Sequence, residues 1–201
     1  MHQCVRRYFE LRRRGTVRIE DLEEYYHRSW RDAGFEDEYQ EQAYKQAGLE
    51  QLREFARQHE GSTTLPLDIE THFSLDLGDL LLEGRIDQIN PFGGENAVEL
   101  LDYKTGRPRS QKEADSSLQL SVYALAARDG MKMKPVRLAF YNLGDNEPVY
   151  TARTPRDLAK AVEEIREVAE QIRQMIFHPT PGFVCKWCDY QPVCPAHEEV
   201  L

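Results

Sequence analysis

The sequence predicts an α/β domain in which a small mixed central sheet is flanked by helices, with a helical segment at its N-terminus and a cysteine-rich C-terminal tail. Three observations carry that prediction. Apolar residues recur at helical spacing before residue 60 and again after residue 155, alternate with polar ones around residues 67–75, and are punctuated by strong turn signals between. At 201 residues the chain is long enough for one sizeable core with a small appendage. Hydrophobic residues at 40% and aromatics at 10% fit a folded protein rather than a disordered one.

The elements follow in order. Residues 2–13 read as a short helix, and 19–31 and 37–59 as two more. Leu22, Tyr25, Tyr26 and Trp30 mark the face of the second, and Tyr44, Leu49, Leu52 and Phe55 that of the third. Gly61 to Thr64 breaks the pattern and Pro66 opens a new one. Leu67, Ile69, Thr71, Phe73 and Leu75 then alternate with polar neighbours, the period of a half-buried strand. Strands at roughly 80–89 and 97–104 flank the turn signal Asn90-Pro91-Phe92-Gly93-Gly94. A helix is expected over about 115–128, strands over 136–143 and 148–151, and a long amphipathic helix over 155–176 opened by Thr154-Pro155. Pro179, Pro181 and Gly182 end the regular structure, so the expected division is a domain over 1–178, with 19–59 as a helical insertion, and a tail over 179–201.

Charge and cysteine content narrow the function. A formal net charge of −9 argues against a protein that grips nucleic acid by an overall basic surface. Local basic stretches remain at Arg6-Arg7, Arg12-Arg13-Arg14 and Lys104/Arg107/Arg109/Lys112, of which the first two read equally well as solvated charged faces. No apolar run approaches a membrane span and no secretion leader is visible, so the cytoplasm is expected. Three of the four cysteines bunch near the C-terminus, a pattern of metal binding rather than of a disulfide framework.

The chemistry sits on the hairpin. Residues two apart on a strand share a face, so Asp102 and Lys104 project together with Tyr103 opposite. Folding the preceding Gly84-Arg85-Ile86-Asp87 strand back at the turn brings Asp87 near the register of Asp102. Two hard carboxylates suit Mg²⁺ or Mn²⁺, with water and substrate phosphate completing the shell. A neighbouring ammonium can orient the attacking water or neutralise developing charge. An Asp-x-Lys pair on a strand edge is, taken alone, most often a solvated ion pair.

Gly84-Arg85-Ile86-Asp87, then Leu101-Asp102-Tyr103-Lys104-Thr105-Gly106, then Gln119-Leu120-Ser121-Val122-Tyr123-Ala124-Leu125 together resemble the RecB-like branch of the PD-(D/E)XK nuclease superfamily, which has a restriction-endonuclease-like fold. That branch includes nuclease domains attached to bacterial DNA helicases and CRISPR-associated nucleases. The resemblance covers nearly the whole chain and implies a metal-dependent deoxyribonuclease. By resemblance, Asp87 and Asp102 are metal ligands joined by the Tyr103 carbonyl, Lys104 is the catalytic lysine, and Gln119 and Tyr123 are a motif reaching substrate phosphate from one helix face. His2, on an N-terminal helix, matches a histidine metal ligand, with Glu70 and His72 as weaker alternates. Cys185, Cys188 and Cys194 resemble a group that holds a four-iron, four-sulfur cluster, whose fourth ligand is a cysteine upstream of that histidine. With Met1 directly before His2, that cysteine is absent from the chain, which is expected to be part of a longer protein. Cys4 is a poor substitute on helix geometry. His197 would complete a Cys₃His zinc site, and without metal Phe183, Trp187 and Tyr190 would pack the tail down. The expected partners are DNA and a helicase or recombination protein. Two other classes stay open: a catalytically silent DNA-binding or scaffolding module, and a zinc-dependent protein-interaction module centred on residues 185–197.

Overall fold

A computed structural model describes residues 1–196; His197 lies outside the described residues. The chain groups into two compact units, Met1–Ala161 and the remainder from Val162, a division that falls inside the last long helix.

Three helices open the first unit: α1 (His2–Arg14), α2 (Ile19–Ser29) and α3 (Glu38–His59). Arg12 to Arg14 crowd the last turn of α1, where cations meet the negative end of the helix dipole. Arg12 also donates to the carbonyls of His59 and Ser62, tying α1 to the end of α3. Asp37 caps α3 by accepting from the Gln40 amide at 2.6 Å. Gly48 belongs to the inner face of α3, where a Cβ would lie 2.4 Å from the Tyr26 hydroxyl; only glycine lets Tyr26 donate to the Lys45 carbonyl.

The sheet holds β1 (Asp68–Asp76), β2 (Leu81–Pro91), β3 (Ala97–Lys104), β4 (Lys134–Asn142) and β5 (Glu147–Thr151) in sequence order. Neighbours are antiparallel except β3 and β4, which run parallel, so the sheet is mixed as the sequence predicts. β3 is the central strand and its residues from Val98 to Tyr103 are buried, as a strand covered on both faces must be. One face packs on the helices: Tyr103, Tyr141 and Leu143 join Val5, Tyr8, Phe9, Leu22, Leu52 and Phe55 in a single core. That burial is the main force holding the helices to the sheet, at about 1.5–3 kcal/mol for each large side chain.

The crossover from β3 to β4 differs from expectation. A short helix that the periodicity does not give, α4 (Gln111–Asp115), precedes the helix anticipated over 115–128, which runs as α5 (Leu118–Leu125) into a π-helical turn at Ala126–Gly130. Serines cause the break. Ser110 and Glu113 form a capping box on α4, and the Ser117 hydroxyl caps α5 by accepting from the Leu120 amide, restarting the chain two residues after α4 ends. Tyr44 also departs from its expected place in the core and is 63% exposed. The last long helix, α6 (Pro155–Arg173), starts at a capping box between Thr154 and Asp157.

In the second unit, short 3₁₀ turns at Phe183–Trp187 and Gln191–Val193 follow the proline-rich stretch. Phe183 and Trp187 meet edge to face at 4.8 Å, yet both rings and that of Tyr190 remain largely exposed, so these aromatics do not bury a tail core.

Candidate metal and catalytic centre

The site forms where two strands part. β2 stays paired with β1 out to Leu81, and β3 stays paired with β4 out to Lys104. Between β2 and β3 the pairing runs from Pro91↔Val98 only to Gln88↔Leu101, and it stops one step before Asp87 would face Asp102. Beyond that fork the backbone bonds are replaced by a side chain: the Tyr103 N–H donates to Asp87 Oδ2 at 2.8 Å. The Tyr103 carbonyl accepts from His2 Nε2 at 2.8 Å, and His2 Nε2 lies 3.9 Å from Asp87 Oδ2. The backbone of one residue, Tyr103, therefore links the first turn of α1, β2 and β3. Opposite the fork, Glu70 holds a left-handed backbone conformation (φ 55°) in the middle of β1 and accepts from Arg85 at 2.9 Å. His72 likewise faces Arg85, at 2.9 Å, and the Glu70 charge is felt at Asp87.

Asp102 and Lys104 share a face, and Lys104 Nζ stands 2.6 Å from Asp102 Oδ2. The other oxygen, Oδ1, accepts from the Tyr123 hydroxyl at 3.1 Å. Gln119 closes the circuit, its Oε1 accepting from Lys104 Nζ at 2.9 Å and its Nε2 reaching the Tyr123 hydroxyl at 3.4 Å. Gln119 and Tyr123, one turn apart on α5, thus fold back on Lys104 and Asp102. Phe140, the β4 partner of Asp102, lies beneath the ammonium with its ring centre 4.9 Å from Nζ. Phe140 was not expected in the site, and only the parallel β3–β4 register could have revealed it. Phe73 supports the other end, its ring edge-on to Tyr123 at 6.4 Å. Gly84 makes that possible, because a Cβ there would sit 2.5 Å from the Phe73 ring.

The electrostatics favour a cation. Burial pushes the Asp87 carboxyl above the usual carboxylate range, the Tyr103 N–H opposes that shift, and the neighbouring Asp102 charge adds to it. Burial, with the Asp102 and Asp87 charges, also lifts the Tyr123 phenol well above its ordinary value, so it stays a hydrogen-bond donor. Asp102 Oδ2 is fully buried and has no hydrogen-bond donor; Lys104 meets it as a charge, without hydrogen-bond geometry. A buried anionic oxygen left in that condition, beside a second carboxylate, fits a hard divalent ion better than it fits an inert core. Among the described residues no three His, Cys, Asp or Glu side chains form a ready-made cage. The available set is two carboxylates and one peptide carbonyl. His2 cannot ligate through Nε2 while that nitrogen donates to Tyr103.

The tail thiols make a different arrangement. Cys185, Cys188 and Cys194 are free and line one cavity of about 240 Å³. Cys4 is only 4% exposed, sunk in the helical core of the first unit with its thiol pushed up by burial. Three described thiols do not complete the four-ligand set of an iron–sulfur cluster or a structural zinc.

The comparisons with known proteins give one family. Residues 1–195 match the model of a family described as the PD-(D/E)XK nuclease superfamily. No curated protein sequence matches at a significant level. A solved structure described as the crystal structure of SSO0001 is similar over 96% of this chain and 95% of its own, with 16% identity and a TM-score of 0.42. That likeness is too weak to bear on function.

Proposed function

This chain belongs to the PD-(D/E)XK nuclease superfamily, and from that premise we propose that it is a divalent-metal-dependent deoxyribonuclease of the RecB-like branch. It hydrolyses phosphodiester bonds at DNA ends or in single strands, as an exonuclease serving repair or recombination in the cytoplasm beside a helicase. The observation that carries the reading is the convergence of Asp87, Asp102 and Lys104 at the fork, with Asp102 Oδ2 buried and lacking a donor.

Asp87, Asp102 and the Tyr103 carbonyl are the residues that would hold Mg²⁺ or Mn²⁺. When bound, such an ion acidifies water and neutralises phosphate charge. His2 steers the Tyr103 peptide through its carbonyl, and a switch of tautomer would free Nε2 as a further ligand. Lys104 supplies N–H donors beside the reacting phosphate, orienting the attacking water and countering the charge that builds on the phosphoryl oxygens. Gln119 and Tyr123 hold Lys104 and Asp102 in place while those donors act. No covalent intermediate is required. The tail thiols supply three ligands toward an iron–sulfur or zinc site, and no step of the chemistry passes through them.

Linear and circular DNA, single- and double-stranded, incubated with Mg²⁺ or Mn²⁺, tests the reading. Cleavage by the wild type and none by Asp102→Ala or Lys104→Ala is expected. Cleavage that survives in both variants overturns the assignment, and wild-type binding without cleavage makes the chain a silent DNA-binding module.

A further inference from the structure

Arg153 lies on the short stretch between β5 and α6, outside the centre described above, and its guanidinium makes five hydrogen bonds. Nε donates to the Ser121 hydroxyl at 2.7 Å. Nη2 donates to the Ala114 and Ser117 carbonyls at 2.8 and 3.0 Å, and Nη1 to the Thr151 hydroxyl and the Ala152 carbonyl, both at 3.0 Å. None of these acceptors is a carboxylate. Negative charge stands one bond further on, where the Thr151 hydroxyl donates to Asp115 Oδ1 at 2.8 Å. Burial pulls the guanidinium below the ordinary arginine range, with the Asp157 and Asp115 charges opposing the shift. A partly buried cation met only by neutral dipoles costs free energy that an apolar side chain in the same place would not. What a guanidinium alone supplies there is a planar fork that reaches several oxygens at fixed angles.

The helix it grips needs holding. α5 has eight residues, too few to keep a helix in water without help, and it begins at the break where α4 stops. The Ala114 carbonyl belongs to the end of α4, the Ser117 carbonyl to the cap of α5, and Ser121 to the middle of α5, where it is buried. One side chain therefore fixes where the first helix ends and how the second one starts. Ser121 is two residues from Gln119 and two from Tyr123, which at about 3.6 residues per turn puts it on the far side of the helix from both. Arg153 holds the back of α5 while the front presents Gln119 to Lys104 and Tyr123 to Asp102. We propose that Arg153 is a positioning residue of the centre: its guanidinium sets the placement of α5, and through Gln119 and Tyr123 it aims Lys104 and Asp102. Its effect on rate rests on the reading of the site as a deoxyribonuclease, whereas the clamp itself is a property of the metal-free chain.

Two variants separate the clamp from simple filling of space. Arg153→Lys keeps a cation without the fork, and Ser121→Ala removes only the acceptor on α5. Each is compared with wild type by NMR of isotope-labelled tyrosine rings in metal-free protein, the Tyr123 signal being assigned by its loss in Tyr123→Phe, and by DNA hydrolysis with Mg²⁺. The Tyr123 signal should move in both variants. In Arg153→Lys kcat should fall by up to about 100-fold, the scale of a misplacement of about 1 Å, with KM little changed, and Ser121→Ala should fall less. Combining Arg153→Lys with Tyr123→Phe should cost less than the product of the two losses, because one acts through the other. In Arg153→Gly, guanidinium far below its molar denaturing range should return the Tyr123 signal and part of the rate, and ammonium at the same concentration should not. A Tyr123 signal unmoved in both variants, losses that multiply, or equal rescue by ammonium would overturn the proposal. A wild type that cuts no DNA while the Tyr123 signal follows the guanidinium removes the nuclease reading and keeps the clamp; full activity in a folded Arg153→Lys does the reverse.

Discussion

Removing a single oxygen from Tyr123 gives the sharpest test of how the centre is held. The Asp102 side chain is 3% exposed, and among the described residues the Tyr123 hydroxyl is the one hydrogen-bond donor it has, at 3.1 Å on Oδ1. Tyr123→Phe keeps the ring against Phe73 and leaves a buried carboxylate oxygen without that donor. An unsatisfied buried acceptor costs about 1–3 kcal/mol, so the metal-free protein should melt lower by about 2–4 °C for each kcal/mol. The same energy, if it is needed to keep Asp102 aimed, lowers kcat about 5–150-fold with KM little changed. Gln119→Leu should cost less, since it loses a bond to the partly exposed Lys104, and the double variant should cost less than the sum because both side chains belong to one ring. Calorimetry and DNA hydrolysis kinetics on the four proteins of this cycle provide the measurement. A Tyr123→Phe protein with wild-type melting and wild-type kcat refutes the claim that the phenol holds Asp102.

Two further outcomes follow from the same geometry. Lys104→Met strips the buried Asp102 of its charge partner; its metal-free melting point should fall, and added Mg²⁺ should raise it more than it raises that of the wild type, with equal Mg²⁺ shifts counting against a shared position for ammonium and cation. His59 stacks on Phe55 at 4.1 Å and donates through Nδ1 to the Phe55 carbonyl, and burial, aided by Arg12, holds its imidazole below the usual histidine range. Because the unfolded chain binds a proton near pH 6.5 that the folded one resists, this contribution is complete above that pH and fades as pH falls through it. Melting temperatures between about pH 7.5 and 5.5 should therefore drop more steeply for wild type than for His59→Gln, and parallel curves would reject the effect.

Much of the fold was legible because its signals are local. Alternation over residues 67–75, the turn at 90–94 and the parity of Asp102 and Lys104 depend on neighbours in sequence, and the β-sheet follows them closely. What escaped depends on partners far apart in the chain. The break between α4 and α5 turns on which of several serines caps, and apolar periodicity does not report it. Phe140 enters the centre only through a parallel pairing across 38 residues. Tyr44 lies one turn before Gly48, where α3 comes close to Tyr26, and its ring meets Phe35 from a separate loop, a partner that spacing within α3 does not show. The Gln119–Tyr123 motif was visible, but the direction of its side chains was not; helical spacing says that two groups share a face and does not say what that face meets.

The central strand puts odd-numbered Leu101 and Tyr103 against one layer and even-numbered Asp102 and Lys104 toward the opposite one. Moving β3 along its partners by one position would thrust an acid among Phe55 and Tyr141 and turn a tyrosine out to the fork. Single-residue insertions or deletions within 97–104 are thereby barred twice over, by the lost packing and by the lost chemistry. Length variation in this part of the molecule belongs instead in the 92–96 turn, where a change of one residue leaves both ladders intact.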